Sequence, residues 1–242
     1  KDLSRLGYPS SMKELAAFDL PGNIQQTSID LSLYEGIKKR LRRATQDLSI
    51  DGAAALVIDN KSARIKALVG NIDDKSYLNL ALCNRSTGSI LKPFIYLREI
   101  EKGRLSALSK VEDKALNINH YQVRNFDQQF RGNITLEKAL ANSLNTPAVR
   151  SLQKVGVANF LRTLKDCGFS SFTKDARHYG LSLALGGGEA NLLEICSAYS
   201  ALANEGRFRP AGLVANEKTP SKKVFHPGAV ELMNYILSSK AL

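Results

Sequence analysis

No stretch of this sequence approaches the roughly eighteen consecutive apolar residues of a membrane-spanning helix, and the opening Lys1-Asp2-Leu3-Ser4-Arg5 lacks the apolar core of a signal peptide. The 242 residues are therefore expected neither to span nor to target a membrane, any anchor lying outside them. Cysteine is sparse: Cys83, Cys167 and Cys196 make an odd number, without C-x-x-C spacing, each among apolar or small neighbours. Buried free thiols are the expectation, and they leave the redox compartment open. The three histidines, His120, His178 and His226, are scattered and unaccompanied, which argues against a zinc site or a histidine-based triad. No metal or cofactor is expected.

Apolar residues and positive charge are what the chain has in quantity. With 43% hydrophobic residues it can bury a core as one large domain, or as a main domain with a small appendage. A formal charge of +11 and a pI near 9.6 raise nucleic acid or anionic envelope polymers as partners. The densest basic run, Lys38-Lys39-Arg40 with Arg42-Arg43, has no interleaved aromatic residues on which bases could stack. It is expected as a solvated helix face, and no nucleic-acid partner is expected.

Along the chain, residues 1–26 carry Gly7, Pro9, Pro21 and Gly22 with little periodicity, which predicts a linker from an upstream domain. Asp30 then caps a predicted helix with Leu31, Tyr34, Ile37, Leu41, Ala44 and Leu48 on one stripe. Residues 53–58 and 65–69 flank the polar turn Asp59-Asn60-Lys61-Ser62 and predict a hairpin. Its first strand, nearly continuous in apolar residues, is expected to be buried on both faces. Beyond residue 88 the pattern is helical throughout. Thr146 caps a helix with Pro147 at its first position, and Gly156 ends it. Further helices follow over Phe160 to Cys167, over Leu193 to Leu202, and from Pro227 through Ile236. The predicted architecture is α/β, dominated by helices, with its strands early in the chain.

The tetrad Ser89-Ile90-Leu91-Lys92 puts a hydroxyl and an amine one helical turn apart, on one face. The same spacing recurs at Ser10/Lys13, Ser151/Lys154 and Ser171/Lys174, so spacing alone means little. Only the copy at 89 has Gly88 before it and Pro93 after it, which places Ser89 at a helix N-terminus. There the helix dipole and free backbone N–H groups favour negative charge developing on a nucleophile and its oxyanion. Ile90, Leu91 and Phe94 are expected to bury the Lys92 amine and lower its pKa, so that it acts as a base near neutral pH. Ser143-Leu144-Asn145, the only Ser-x-Asn in the chain, falls in a predicted interhelical loop. Its hydroxyl could relay a proton to a leaving amine, and its amide could bind a peptide backbone.

In these residues the chain resembles the serine penicillin-recognising enzymes. Arg85 through Phe94 is similar to the nucleophile segment of class A penicillin-binding proteins. Tyr121 to Asp127, then Phe130, Gly132 and Ala139 through Val149, resemble the stretch around their second motif, and Leu183 through Glu189 with Ala198 to Gly206 resembles the next signature, most of all in the 1C branch. With Gln26 to Asp30 as the start of the domain, the resemblance covers about residues 24–240. It implies a helix-rich β-lactamase/transpeptidase-like α/β fold, an antiparallel sheet flanked by helices, in residues 27–242. It also implies a peptidoglycan D,D-transpeptidase that cross-links stem peptides through a serine acyl-enzyme and is acylated by β-lactams. Ser89 would be the nucleophile, Lys92 the acylation base and Ser143 the proton relay. Asn145 would bind the acyl-side amide, with Gly187 and Gly188 near the substrate. The implied setting is extracytoplasmic, with an upstream glycosyltransferase domain and a membrane anchor outside this chain.

One departure stands out. The family's third motif, Lys-Thr-Gly on a strand edging the cleft, is absent, and Lys218-Thr219-Pro220 has proline where glycine is required. The chain stops at Leu242, just short of where the motif is expected, so the sheet is expected to be incomplete. That loss keeps open a non-catalytic peptidoglycan- or β-lactam-binding sensor domain. A β-lactamase or D,D-carboxypeptidase would need a deacylating base, and no glutamate, Glu189 included, is assigned that role. The Gly186-Gly187-Gly188 run is not a phosphate loop, since no Gly-Lys-Ser follows it.

Overall fold

The computed structural model describes residue 15 and residues 26–73, 76, 78–118, 121–215 and 219–239. The predicted linker lies almost wholly outside these, as do His120 and Lys218. In chain order the elements are α1 (Leu31–Leu48), β1 (Ala55–Asp59), β2 (Arg64–Val69), β3 (Arg85–Ser86), α2 (Lys92–Glu101), β4 (Lys110–Asp113), β5 (Leu116–Ile118), β6 (Tyr121–Val123) and β7 (Gly132–Thr135). They continue with α3 (Leu136–Ala141), α4 (Asn145–Val155), α5 (Val157–Asp166), α6 (Ala176–Tyr179), β8 (Glu189–Ala190), α7 (Leu192–Ser200) and α8 (Pro227–Ser238). The described residues of 1–84, 191–204 and 208–222 form one compact unit, and those of 85–190, 205–207 and 223–242 form another.

In the first unit the predicted hairpin is present, β1 pairing antiparallel with β2. α1 packs on β2 and α7 on β1. Burial is the reverse of the expectation. β2 is the buried strand, with Ile65, Leu68 and Val69 fully covered, while β1 is half-buried along its length. The reason is position: β2 has backbone from Gly212 and Asp30 bonded beside it, whereas β1 pairs with no other strand among the described residues. α1 starts where predicted, Asp30 Oδ1 accepting the Leu33 N–H at 2.9 Å. Its stripe is rotated from the expected one. Leu31, Ala44 and Leu48 are exposed, and Tyr34, Lys38 and Thr45 are buried. Lys38 thus leaves the solvated basic face: its stem lies in the core and its Nζ donates to Tyr34 Oη at 3.1 Å.

The second unit is built around α2. Leu91, Phe94, Ile95 and Leu97 are fully buried, and α2 packs on α4 and α8, where Ala148, Val149, Leu152, Val230 and Met233 are buried in turn. Gly156 ends α4 at φ 84°, and the His226 ring accepts the Gly228 N–H to cap α8. The expectation of unbroken helix after residue 88 does not hold: β4 pairs with β7 and β5 with β6 between α2 and α3. These strands are three or four residues long, too short to display a period of two. Sheet structure is therefore distributed over small antiparallel pairs. None of the three cysteines is disulfide-bonded; Cys167 is fully buried and the other two are half-buried. Burial pushes the Cys196 thiol pKa up. Among the described residues no helix is long and apolar enough to cross a membrane.

Candidate active site

All of the candidate residues lie in the second unit. Gly88, in the left-handed region at φ 53° that glycine adopts freely, opens a 3-10 turn over Gly88–Leu91 that runs directly into α2, with Pro93 in its first turn. Ser89 therefore sits at the start of the helical run, as its flanking residues predict. It is exposed, and its Oγ forms no hydrogen bond with a described residue. One turn on, Lys92 is fully buried. Leu91 and Phe94 are fully buried beside it, but Ile90, expected to be buried too, is 40% exposed; residues two apart on a helical turn face different ways.

Burial lowers the Lys92 pKa from its ordinary 10.5 to about 8. The Nζ is aimed at the second motif, donating to Ser143 O at 2.6 Å and Asn145 Oδ1 at 2.7 Å and lying 3.2 Å from Ser143 Oγ. The two carbonyl-type oxygens can take only hydrogens, so a neutral amine held by both turns its lone pair toward a hydroxyl. That arrangement suits proton transfer between a lysine and a serine.

Ser143 lies in the link between α3 and α4 and holds φ 49°, a left-handed conformation that a residue with a side chain adopts at a cost. Its side chain is exposed. Asn145 is the first residue of α4, so the predicted cap at Thr146 is displaced: the N-cap is Leu144, without a side-chain bond. Thr146 instead turns its hydroxyl to the buried carboxylate of Asp113, at 2.6 Å. Asn145 Nδ2 donates to Arg124 O at 2.7 Å, and Asn145 N donates to Asn125 Oδ1 at 2.8 Å. Asp113 carries no signal in the sequence, and Asn125 and Thr146, though within the segments that resemble the family, carry none that assigns them to the site. They meet across separations of twelve to thirty-three positions, which no local pattern reveals.

The glycine run braces the nucleophile turn. Thr87 donates from both N and Oγ1 to Gly188 O, at 3.1 and 3.2 Å, and Ser86 Oγ donates to Gly186 O at 2.9 Å. Gly186, at φ 95°, packs against Gly88, and the Gly188 α-carbon packs against Phe172. Gly187, beside Gly186, lines a cavity of about 490 Å³ with Val123, Val149, Tyr179 and Leu185.

Residues 53–242 match the family described as the penicillin-binding protein transpeptidase domain. The chain belongs to this family. The chain is 28% identical to Penicillin-binding protein 1C of Escherichia coli K12 over 96% of its own length and 32% of that protein's. It is 35% identical to Penicillin-binding protein 1A of Neisseria cinerea over 64% of the chain and 20% of that protein. The chain thus spans about a third or less of these relatives. In fold it is similar to the transpeptidase domain of Burkholderia pseudomallei penicillin-binding protein 3, with a TM-score of 0.78 at 19% identity over 92% of this chain and 73% of that one. The PonA1 protein of Mycobacterium tuberculosis in complex with penicillin V gives 0.76 at 19% identity, over 96% and 68%. The helix-rich α/β transpeptidase fold inferred from the motifs is the fold of these neighbours.

Proposed function

We propose that this domain is a serine-type D-Ala-D-Ala transpeptidase acting on peptidoglycan stem peptides. The observation that carries the reading is the placement of the buried Lys92 amine, of lowered pKa, within hydrogen-bond reach of Ser143 Oγ and Asn145 Oδ1, one turn from exposed Ser89. Lys92 takes the Ser89 Oγ proton as the oxygen attacks the carbonyl carbon of the penultimate D-Ala. The oxyanion forms at the helix start, where the Ser89 N–H supplies one donor. As the tetrahedral species collapses, the C–N bond breaks and Ser143 relays a proton to the departing D-Ala amine. The acyl-enzyme is then attacked by the amine of a second stem peptide, which restores the Ser89 hydroxyl and forms the cross-link. A β-lactam is opened by the same attack and stays attached, since its leaving nitrogen remains tethered.

Two of the four hydrogen-bonding positions of the Asn145 amide are occupied by Lys92 and Arg124 O, leaving two for the acyl-side amide of the substrate. Gly187, lining the adjoining cavity, is the better placed of the two predicted glycines to meet substrate; Gly188 works through its carbonyl on Thr87. We assign residues 27–242 to the transpeptidase domain and residues 1–26 to a linker from an upstream glycosyltransferase domain and membrane anchor, with the protein acting outside the cytoplasmic membrane. The test is intact-protein mass after incubation with benzylpenicillin, for the parent and for Ser89→Ala. A whole-penicillin adduct on the parent alone is the expected result. A folded parent that never acquires one would sink the reading in favour of a binding or sensor domain.

A further inference from the structure

We propose that Asp113 is a positioning residue for the second motif: its buried carboxylate orients Asn125 and Thr146, and through them holds Asn145 against Lys92. Asp113 is fully buried at the end of β4, and the hydrogen bonds it accepts come from neutral donors. Asn125 Nδ2 lies 2.8 and 3.0 Å from its two oxygens, Arg131 N 2.8 Å from Oδ2, and Thr146 Oγ1 2.6 Å from Oδ1. A carboxylate out of water is tolerated only when its lone pairs are met in this way.

An ionised carboxylate accepts and cannot donate, so it dictates which way the Asn125 amide faces. Asn125 is itself buried, with Nδ2 shared between Asp113 and Gln129 O at 2.7 Å. Its Oδ1 is thereby turned to the Asn145 N–H at 2.8 Å. That N–H belongs to the first residue of α4 and has no partner within the helix. The next residue, Thr146, is tied to the same carboxylate. Asp113 therefore sets the first turn of α4 from two sides, and Asn145 carries the setting to Lys92 Nζ. Asp113→Asn has the same shape but offers an N–H to donors that need acceptors. Asn125 would lose the fixed orientation that turns its Oδ1 to the Asn145 N–H, and that bond would weaken.

The inference rests on the transpeptidase reading for its kinetic arm only. In the full chain, Asp113→Asn, Thr146→Val and Thr146→Ser are checked for folding by thermal unfolding. Exchange of the Asn145 amide hydrogen is followed by NMR, and acylation by a fluorescent penicillin is separated into a binding constant and an acylation rate. In Asp113→Asn and Thr146→Val, Asn145 exchange is expected to quicken about five- to tenfold, the scale of one lost buried hydrogen bond. The acylation rate should fall by at least as much with penicillin binding little changed, and Thr146→Ser should behave as the parent. Folded Asp113→Asn with parental exchange and acylation rate overturns the inference. Should Asp113→Asn not fold, the Thr146→Val and Thr146→Ser pair decides by the same exchange: faster in Val alone supports positioning, and equal in both overturns it. A parent that no penicillin acylates removes the transpeptidase reading, and positioning is then decided by Asn145 exchange alone, on the same two outcomes.

Discussion

Gly186 lies against Gly88 so closely that a β-carbon on Gly186 would stand 2.5 Å from the Gly88 backbone nitrogen. The glycine-rich segment and the turn that presents Ser89 are thus in backbone contact. Gly186→Ala must move one of them, and its φ of 95° disfavours any side chain besides. We expect a loss of about 1–3 kcal/mol in unfolding free energy together with slower β-lactam acylation, read by denaturant unfolding and by adduct formation. A variant as stable and as reactive as the parent would show that the contact is not needed.

Lys92 gives a pH dependence whose sign follows from its burial. With its pKa lowered to about 8, the neutral amine becomes the main form as pH rises through that value, so the acylation rate should climb with a midpoint near 8. Stability runs the same way. The folded chain loses this proton before the unfolded chain does, so the cost of burying the charged amine is fully present below about 8 and is relieved as pH rises from there toward 10.5. Lys92→Arg keeps the charge at every accessible pH and should reduce acylation on the order of 10²- to 10⁴-fold. A flat rate profile between pH 6 and pH 9, measured on the parent, would be the contrary result.

Ser143 combines a left-handed backbone with an exposed hydroxyl 3.2 Å from Lys92 Nζ. Glycine relieves the backbone and removes the hydroxyl. Ser143→Gly should therefore gain up to about 1 kcal/mol of stability while turning over stem-peptide analogues more slowly, and Ser143→Ala should lose activity without the gain. Parallel melting and turnover measurements separate the two effects. If Ser143→Gly both melts lower and works normally, the conformation is not strained and the hydroxyl is not a relay.

Tyr96 stands one helical turn beyond Lys92, fully buried, its hydroxyl without a hydrogen-bond partner among the described residues. Burial pushes its pKa up, and the charge of Asp113 adds to that. Since the hydroxyl is desolvated without compensation, Tyr96→Phe should stabilise the fold by about 1–3 kcal/mol, which equilibrium unfolding would register. A marked loss of stability would mean that the hydroxyl is satisfied after all.

The nucleophile segment was legible in the sequence because its constraints are local. Gly88 and Pro93 bracket a helix start, and three residues separate Ser89 from Lys92 on one face. The same holds for the Asp30 cap of α1, for Gly156 at the end of α4 and for the β1–β2 hairpin, each decided by residues within a few positions of one another. The stripe of α1 differs from the expected one because hydropathy alone cannot tell a buried lysine, its Nζ over the Tyr34 ring, from one in water. Only the tertiary structure could turn Lys92 toward Ser143 and Asn145, some fifty residues away, or bring a carboxylate from β4 to the first turn of α4. It also showed Gly186 and Gly188 bracing the turn that carries Ser89, through Ser86 and Thr87. Such pairings depend on where the chain returns in space, and the polar groups that meet there are chosen by the need to satisfy buried donors and acceptors, a condition that the spacing of residues along the sequence does not express.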